Sequence, residues 1–210
     1  MNLLDQLSSR VGDRTAESNR QVAARCLEDS ALLGQVAAGL TSQDATLLGD
    51  CAEVFTLVAE ARPEWVAPYA GALLPVLPHK KTRVRREAAH ALALTAALAP
   101  EILAPILPQL AEIVRTDGSI IVRDYTVDAI GNYAVSSAEA ARAVYPLLCE
   151  ALTAWDGKHA AHAIDGLCHV AAVVPDLADA LRAIGKGYLQ NRSGVVRKAA
   201  RALVRASNGH

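Results

Sequence analysis

The sequence predicts an all-α protein, built as a solenoid of about five helix pairs that follow an N-terminal helix. Hydrophobic residues make up 52% of the 210 residues and aromatic residues only 4%, so the core consists largely of alanine and leucine, both strong helix formers. No convincing run alternates β-branched or aromatic residues with polar ones, as a half-buried strand would. The segment Val84–Leu92 recurs as Val122–Ile130 and Val196–Leu203, each time with the spacing of an amphipathic helix.

The N-terminal part, residues 1–29, is expected to form capping helices, and the first pair follows it. Thr15, Ser30 and Asp44 are predicted N-caps, because a short polar side chain there accepts a hydrogen bond from the first turn. The helices predicted in this part span about residues 3–11, 15–27, 30–40 and 44–61.

A fixed step repeats through the rest of the chain. Pro63–Pro68 matches Pro100–Pro105 at 100 − 63 = 37 residues, and Val84 and Val122 are 122 − 84 = 38 residues apart. A step of this size made of two helices is typical of solenoids. The pattern is clearest over 63–206, and the absence of long linkers predicts a single domain over 1–210.

Each repeat has the same parts in the same order. The first helix, A, carries an interior proline at Pro68, Pro105 and Pro146, which should bend it. A polar turn follows. The second helix, B, then opens with the recurring segment, and this order predicts that A and B pack as antiparallel neighbours.

These features resemble HEAT repeats, of the armadillo/HEAT-like α-solenoid family. The resemblance covers about residues 30–206. It rests on the helix A prolines, on the Val-Arg opening of helix B, on the Ala-x-Ala-Leu core at Ala89–Leu92, and on an Asp or Asn in the A–B turn. The turn residues are Asp117, Asp156 and Asn191. The fourth repeat departs from the pattern, since Lys158-His159 has neither the valine nor the arginine.

The family resemblance implies a right-handed superhelix with the B helices on its concave face. It also implies that the turn Asp and Asn residues pair with arginines at the starts of neighbouring B helices. Arg85, Arg123 and Arg197 hold those positions. We therefore expect these arginines to support the repeat rather than to contact a ligand.

The helical period selects the outward positions of the B helices. Leu92, Ile130, Leu167 and Leu203 mark the buried side, and residues two and five positions earlier should face outward. With the residues one turn further on, the candidate binding residues are Asp50, Glu53, Glu87, His90, Tyr125, Asp128, Asn132, His162, Asp165, His169, Lys198, Arg201 and Arg205. Their charge changes from acidic through polar to basic, which fits an extended partner with the opposite order of charges, or the equivalent end of another copy of the chain. Charged residues also occur on any solvated helix, so both interpretations stay open.

One metal-ligand pattern stands out. His162, Asp165 and His169 are spaced three and four residues apart on one helix side, and three such ligands can hold zinc with a water. A site on a single helix usually needs a further ligand from another element, so this set is only a weak candidate and no metal or other cofactor is predicted.

No catalytic motif is present in the sequence: it has no Gly-rich phosphate loop, no nucleophile elbow and no HExxH. Deoxyhypusine hydroxylases, which are built from similar repeats, bind iron through His-Glu pairs, whereas the nearest match here is Arg86-Glu87. In alkylpurine DNA glycosylases of the AlkD type a concave Trp, Asp and Arg lie on a basic face, to which Tyr125, Asp128 and Arg201 are a loose analogue. The sequence therefore predicts a protein that is not an enzyme.

Composition limits the partners. The net charge is −1 and the pI about 6.6, so no overall field attracts nucleic acid or anionic lipid. No apolar run reaches the ~18 residues of a membrane span, and Met1–Asp5 lacks the layout of a signal peptide. The cysteines form no CxxC and are expected to be buried free thiols in the cytoplasm. They are Cys26, Cys51, Cys149 and Cys168.

The resulting prediction is a scaffold that binds a protein or peptide along the concave face. The alternative is nucleic-acid binding, as in an AlkD-like DNA-binding or DNA-repair protein, through the basic C-terminal repeats. The basic residues there are Lys186, Arg192, Arg197, Lys198, Arg201 and Arg205. Because repeat stacks leave end faces to be covered, self-association through an end is a further expectation.

Overall fold

Helices form nearly all of the regular structure. A computed structural model describes residues 2–208, in which no strand occurs. By the packing of its helices the chain divides into two compact units, one up to Ile102 and one from Leu103 onward. No measurement tests the prediction of a single domain over 1–210, which stays a prediction, and the two units are described separately.

The first unit begins with short helices. The 3-10 turn Leu3–Gln6 is followed by α1 (Ser8–Val11), α2 (Glu17–Glu28), the 3-10 turn Ser30–Leu32, α3 (Leu33–Gly39), α4 (Ala45–Ala61), α5 (Pro63–Val66), α6 (Ala70–Leu73), α7 (Thr82–Thr95) and α8 (Pro100–Leu103). Helix α8 straddles the division between the units. Helices α4 and α7 are the B helices here, and they pack against each other.

The predicted N-caps have different outcomes. Asp44 is confirmed, because its carboxylate accepts a hydrogen bond from the Thr46 amide at the start of α4. At α2 the N-cap residue is Ala16 rather than Thr15, and Ala16 has a left-handed φ of 60°. At the next turn Asp29, not Ser30, is the cap, since its carboxylate accepts from the Ala31 amide at 3.0 Å.

The second unit repeats the pattern of paired helices. It contains α9 (Leu107–Thr116), α10 (Ile120–Tyr133), α11 (Ala138–Ala151), the turn α12 (Ala154–Gly157), α13 (Ala160–Val173), α14 (Ala178–Tyr188) and α15 (Gly194–Ala206), with 3-10 turns at Ala104–Ile106, Ala134–Ser136 and Pro175–Leu177. Helices α10, α13 and α15 are the B helices. Helix α13 packs on both of the others.

The helix A prolines act in two ways. Pro146 lies inside the continuous helix α11, as predicted. Pro68 and Pro105 instead fall in the 3-10 turns Ala67–Tyr69 and Ala104–Ile106, which interrupt their helices. Proline has no N–H for the i to i−4 bond, so the tighter turn replaces the α-helix at those points.

Small and branched residues of the B helices form the core. Leu92, Ile130, Leu167 and Leu203 are each at most 2% exposed, which confirms their predicted burial. All four cysteines are free thiols, with Cys26 and Cys51 buried. Within residues 2–208 no helix combines the length and the apolar character needed to cross a bilayer.

Candidate binding face on the B helices

The arginine near the start of a B helix anchors the turn that precedes it. Arg85 Nη1 donates to the carbonyls of His79 and Lys80, and Arg197 Nη1 donates to those of Asn191 and Arg192. Arg123 donates in the same way to the carbonyl of Asp117, six residues earlier. The three arginines therefore hold the A–B turns of their own repeats, a structural role.

In the first unit the candidate residue Asp50 is part of a buried hydrogen-bond network. Its carboxylate is 1% exposed and accepts from the Ser9 amide at 2.7 Å, from Asn19 Nδ2 at 3.0 Å and from Arg83 Nη2 at 2.7 Å. Burial by itself would raise the Asp50 pKa, yet these hydrogen bonds outweigh burial and the pKa lies below its ordinary value. The half-buried Glu53 accepts from the same Asn19 and Arg83 side chains.

Two outward placements in this unit are therefore wrong. Asp50 is covered by α1 and α2, whose Ser9 and Asn19 reach it. Glu87 is 5% exposed and its carboxylate accepts from Arg86. Helical period alone does not show which neighbouring helix covers a position. Glu53 and His90 are half-buried and remain candidates.

In the second unit the candidates on α10 and α13 form a connected polar surface. His162 Nδ1 lies 2.7 Å from Asp128 Oδ1, and His162 Nε2 lies 3.7 Å from Asp124 Oδ1. The hydrogen bond with Asp128, and then the charges of Asp128, Asp124 and Asp165, raise the pKa of His162 against the effect of its burial. His162 therefore acquires its charge at a higher pH than a free histidine does.

The surface continues from α13 to α15. His169 Nδ1 donates to the Gly131 carbonyl at 3.1 Å, which leaves Nε2 as the other polar atom of the ring. Burial of the carboxylate away from water is the main cause that raises the pKa of Asp165, although the charges of His162, His169 and Lys198 act to lower it. Charges on both adjoining helices therefore act on Asp165, that of Asp128 on α10 to raise its pKa and that of Lys198 on α15 to lower it. Tyr125 and Asn132 on α10 are half-buried.

The α15 part of this surface is basic. Lys198, Arg201 and Arg205 lie three, four and seven residues apart and are exposed. No ion pair joins any of the three to another residue in 2–208. We call the following set the B-helix face: Tyr125, Asp128, Asn132, His162, Asp165, His169, Lys198, Arg201 and Arg205. Its charge changes from acidic and histidine-containing on α10 and α13 to basic on α15.

A second polar network, centred on the buried Arg123 and His159 near the starts of α10 and α13, was not predicted from the sequence. Arg123, 1% exposed, donates through Nε to His159 Nε2 at 2.9 Å, and its guanidinium lies 3.8 Å from the centre of the Trp155 ring. Because His159 Nε2 accepts, the ring proton is on Nδ1, which donates to Asp124 Oδ1 at 2.6 Å. Lys158-His159 departs from the Val-Arg pattern of the repeat, and His159 is a buried partner of Arg123 at this position.

The weak metal candidate is not assembled in the structure. Among the described residues no group of three or more His, Cys, Asp or Glu side chains is placed to hold a metal ion. The rings of His162 and His169 are each oriented by a hydrogen bond to α10, to Asp128 and to the Gly131 carbonyl respectively.

Comparison with known proteins gives similarity in structure alone. No family model matches the chain, and no curated protein sequence does. A designed armadillo repeat protein, YIII(Dq.V1)4CPAF, solved in complex with the peptide (KR)4, is 18% identical with a TM-score of 0.74, over 98% of both chains. Another designed armadillo repeat protein, YIII(Dq)4CqI, is 18% identical with a TM-score of 0.73 over 98% of both chains. An engineered protein is 20% identical with a TM-score of 0.70 over the full length of both chains.

These similarities extend over essentially the whole chain and involve helical repeat proteins. Identities of 18 to 20% show a shared fold and nothing about shared ligands. The predicted all-α architecture and the predicted resemblance are confirmed: the chain has the armadillo/HEAT-like helical repeat fold.

Proposed function

We propose that the chain is a non-enzymatic scaffold that binds an extended segment of a protein or peptide along the B-helix face. The observation that carries the proposal is the row of exposed basic side chains on α15, Lys198, Arg201 and Arg205, which have no ion-pair partner among the described residues. Such charges remain available to an incoming acidic side chain.

The charge order of the face suggests the sequence of the bound segment. Acidic side chains would lie against α15, and basic or amide side chains would lie against Asp128 and Asp165 on α10 and α13. Guanidinium groups favour carboxylates, since their N–H groups can bond both oxygens. The designed repeat protein of similar fold is in complex with the peptide (KR)4, which supports binding of an extended charged peptide by this architecture.

The side chains of the face favour binding over catalysis. His162 and Asp128 form a pair like the base and orienting acid of a hydrolase, but the thiol of Cys168 on the same helix is a poor nucleophile. Burial raises the pKa of Cys168 to about 11, so the thiolate is scarce at neutral pH. The free thiols throughout the chain suit a reducing compartment, and we place the protein in the cytoplasm.

Fluorescence anisotropy with a labelled eight-residue Glu-Ala repeat tests the proposal. We expect saturable binding that weakens with salt, and a loss of at least about tenfold in affinity when Lys198, Arg201 and Arg205 are all changed to Glu. A control with the same change in net charge alters Lys80, Lys81 and Lys186 to Glu, all exposed and outside the face. If both triple variants weaken binding equally, the face is not the site.

The same basic row could also contact phosphates, so nucleic acid forms a second arm of the experiment. A labelled single strand and a labelled duplex, each at about 50 and about 200 mM salt, are compared with the peptide. The peptide proposal would be wrong if the protein binds either nucleic acid tightly, loses this binding in the α15 variant and does not bind the peptide. Nucleic-acid binding would then be the function of this face. Self-association through an end face is tested separately by light scattering over a range of concentrations.

A further inference from the structure

An open cleft of about 820 Å³ lies in the second unit, between the A–B turns of the fourth and fifth pairs. This volume falls within the range of small-molecule sites, roughly 300 to 1,000 Å³. Apolar atoms of Leu152 and Val196 line it, and both residues are buried. The cleft shares no residue with the B-helix face, so it is a separate feature of the molecule.

Positive charge dominates the rim of the cleft. Lys158 and Arg192 line it and are exposed, and neither forms an ion pair with another residue in the described part of the chain. Asp156 is the acidic residue among the lining side chains, so the lining carries a net charge of 2 − 1 = +1. An anion placed between Lys158 and Arg192 would meet two cations from two different turns.

The remaining lining groups supply hydrogen bonds and shape. Ala160, the first residue of α13, lines the cleft, and no side chain caps that helix. The phenol of Tyr188 also lines the cleft, with its hydroxyl 3.4 Å from the Leu152 carbonyl.

We propose that this cleft binds a small organic anion. Its carboxylate or phosphate group would lie between Lys158 and Arg192, and its apolar part would pack against Leu152 and Val196. The two cations favour an anion over a neutral molecule of the same shape, because only the anion gains charge-assisted hydrogen bonds with them.

Titrations followed by ¹H–¹⁵N NMR test the proposal with three probes that share one ring: phenyl phosphate, benzoate and benzyl alcohol. We expect saturable shifts of the Gly157 and Ser193 amides with at least one anion, at a dissociation constant of about 1 mM. Benzyl alcohol should give no saturable shift. Whichever anion binds more tightly identifies the group, phosphate or carboxylate, that the cleft prefers.

A double variant assigns the site. Changing both Lys158 and Arg192 to Gln should weaken anion binding by about tenfold or more, since both charged contacts are lost. Changing Lys80 and Lys81 to Gln removes the same charge from the other unit and should leave the affinity unchanged. Circular dichroism checks that each variant is folded. Equal shifts with benzyl alcohol, no saturation with either anion, or unchanged affinity in the folded Lys158/Arg192 variant would each overturn the proposal.

Discussion

Gly131 of α10 and Gly166 of α13 bring the two helix backbones into contact. A β-carbon placed on Gly131 would lie 2.7 Å from the Cα atom of Gly166, and one placed on Gly166 would lie 2.9 Å from the Cα atom of Gly131. Both distances are below the contact distance of carbon atoms. Only a pair of glycines allows this approach, which also places His169 within hydrogen-bond reach of the Gly131 carbonyl.

Changing Gly131 to Ala should therefore destabilise the protein. The added methyl group meets backbone, which cannot rotate away, so α10 and α13 must separate and their packing is disturbed. We expect a loss of about 2 kcal/mol in the free energy of unfolding, measured by urea denaturation.

The matched control is Gly187 to Ala in α14, where an added β-carbon meets nothing within 4 Å. Alanine favours the helix over glycine, so this variant should be more stable by about 0.5 to 1 kcal/mol. If both substitutions stabilise the protein, the close approach of Gly131 and Gly166 does not exist in solution.

The buried guanidinium of Arg123 should contribute strongly to stability. Replacement by Met keeps the length of the chain but removes the donors to His159 and to the Asp117 carbonyl and the cation over Trp155. We expect a loss of about 3 kcal/mol in the free energy of unfolding, because His159 Nε2 is left buried without its donor. Urea denaturation followed by tryptophan fluorescence measures it.

Arg115 to Met serves as the control for Arg123. Arg115 forms a two-bond ion pair with Glu150, but both side chains are exposed, so its loss should change stability little. Equal effects of the Arg115 and Arg123 variants would contradict the structural role of the buried network.

The raised pKa of His162 gives a pH dependence of definite sign. Its hydrogen bond with Asp128 favours the charged ring in the folded state and so stabilises the fold. This contribution to the free energy of unfolding is complete below the unfolded-state pKa of His162, and it is lost as the pH rises through the higher folded-state pKa. Wild type should exceed the His162 to Gln variant in stability by more at about pH 5.5 than at about pH 9. Urea denaturation at both pH values measures the difference.

A variant of Asp128 separates the effect of its hydrogen bond to His162 from the effects of the other carboxylates nearby, which belong to Asp124 and Asp165. In an Asp128 to Asn background the His162 to Gln substitution should show a smaller change with pH, because the largest cause of the raised pKa is gone. A difference that grows toward high pH in the wild-type background would show that burial, not Asp128, determines the His162 pKa.

The repeat itself could be predicted from the sequence because its residues interact locally. Val84, Ala88 and Leu92 follow the period of one helix, and all three are fully buried. The resemblance to HEAT repeats implied a structural role for the arginines of the Val-Arg opening with partners in neighbouring repeats, whereas Arg85 and Arg197 donate to the turns of their own repeats. Local period was sufficient to predict the helices of the repeat.

The candidate site could be predicted only in part, because its details depend on contacts between distant residues. Asp50 has the period of an outward residue, but α1 and α2 cover it through Ser9 and Asn19. The turn at Trp155 and Asp156 has left-handed φ values of 52° and 57°, which aspartate tolerates but a bulky tryptophan rarely adopts. No local pattern predicts such a turn, since the stacking of Arg123 on Trp155 comes from the preceding repeat.

A charge-swap experiment tests most directly that the B-helix face binds an extended charged segment. Wild type and the variant with Lys198, Arg201 and Arg205 changed to Glu are each titrated with the Glu-Ala peptide and with a Lys-Ala peptide of equal length. We predict that wild type prefers the Glu-Ala peptide and the variant the Lys-Ala peptide, each by about tenfold. Retention of the wild-type preference by the folded variant would contradict the assignment of this face as the binding site.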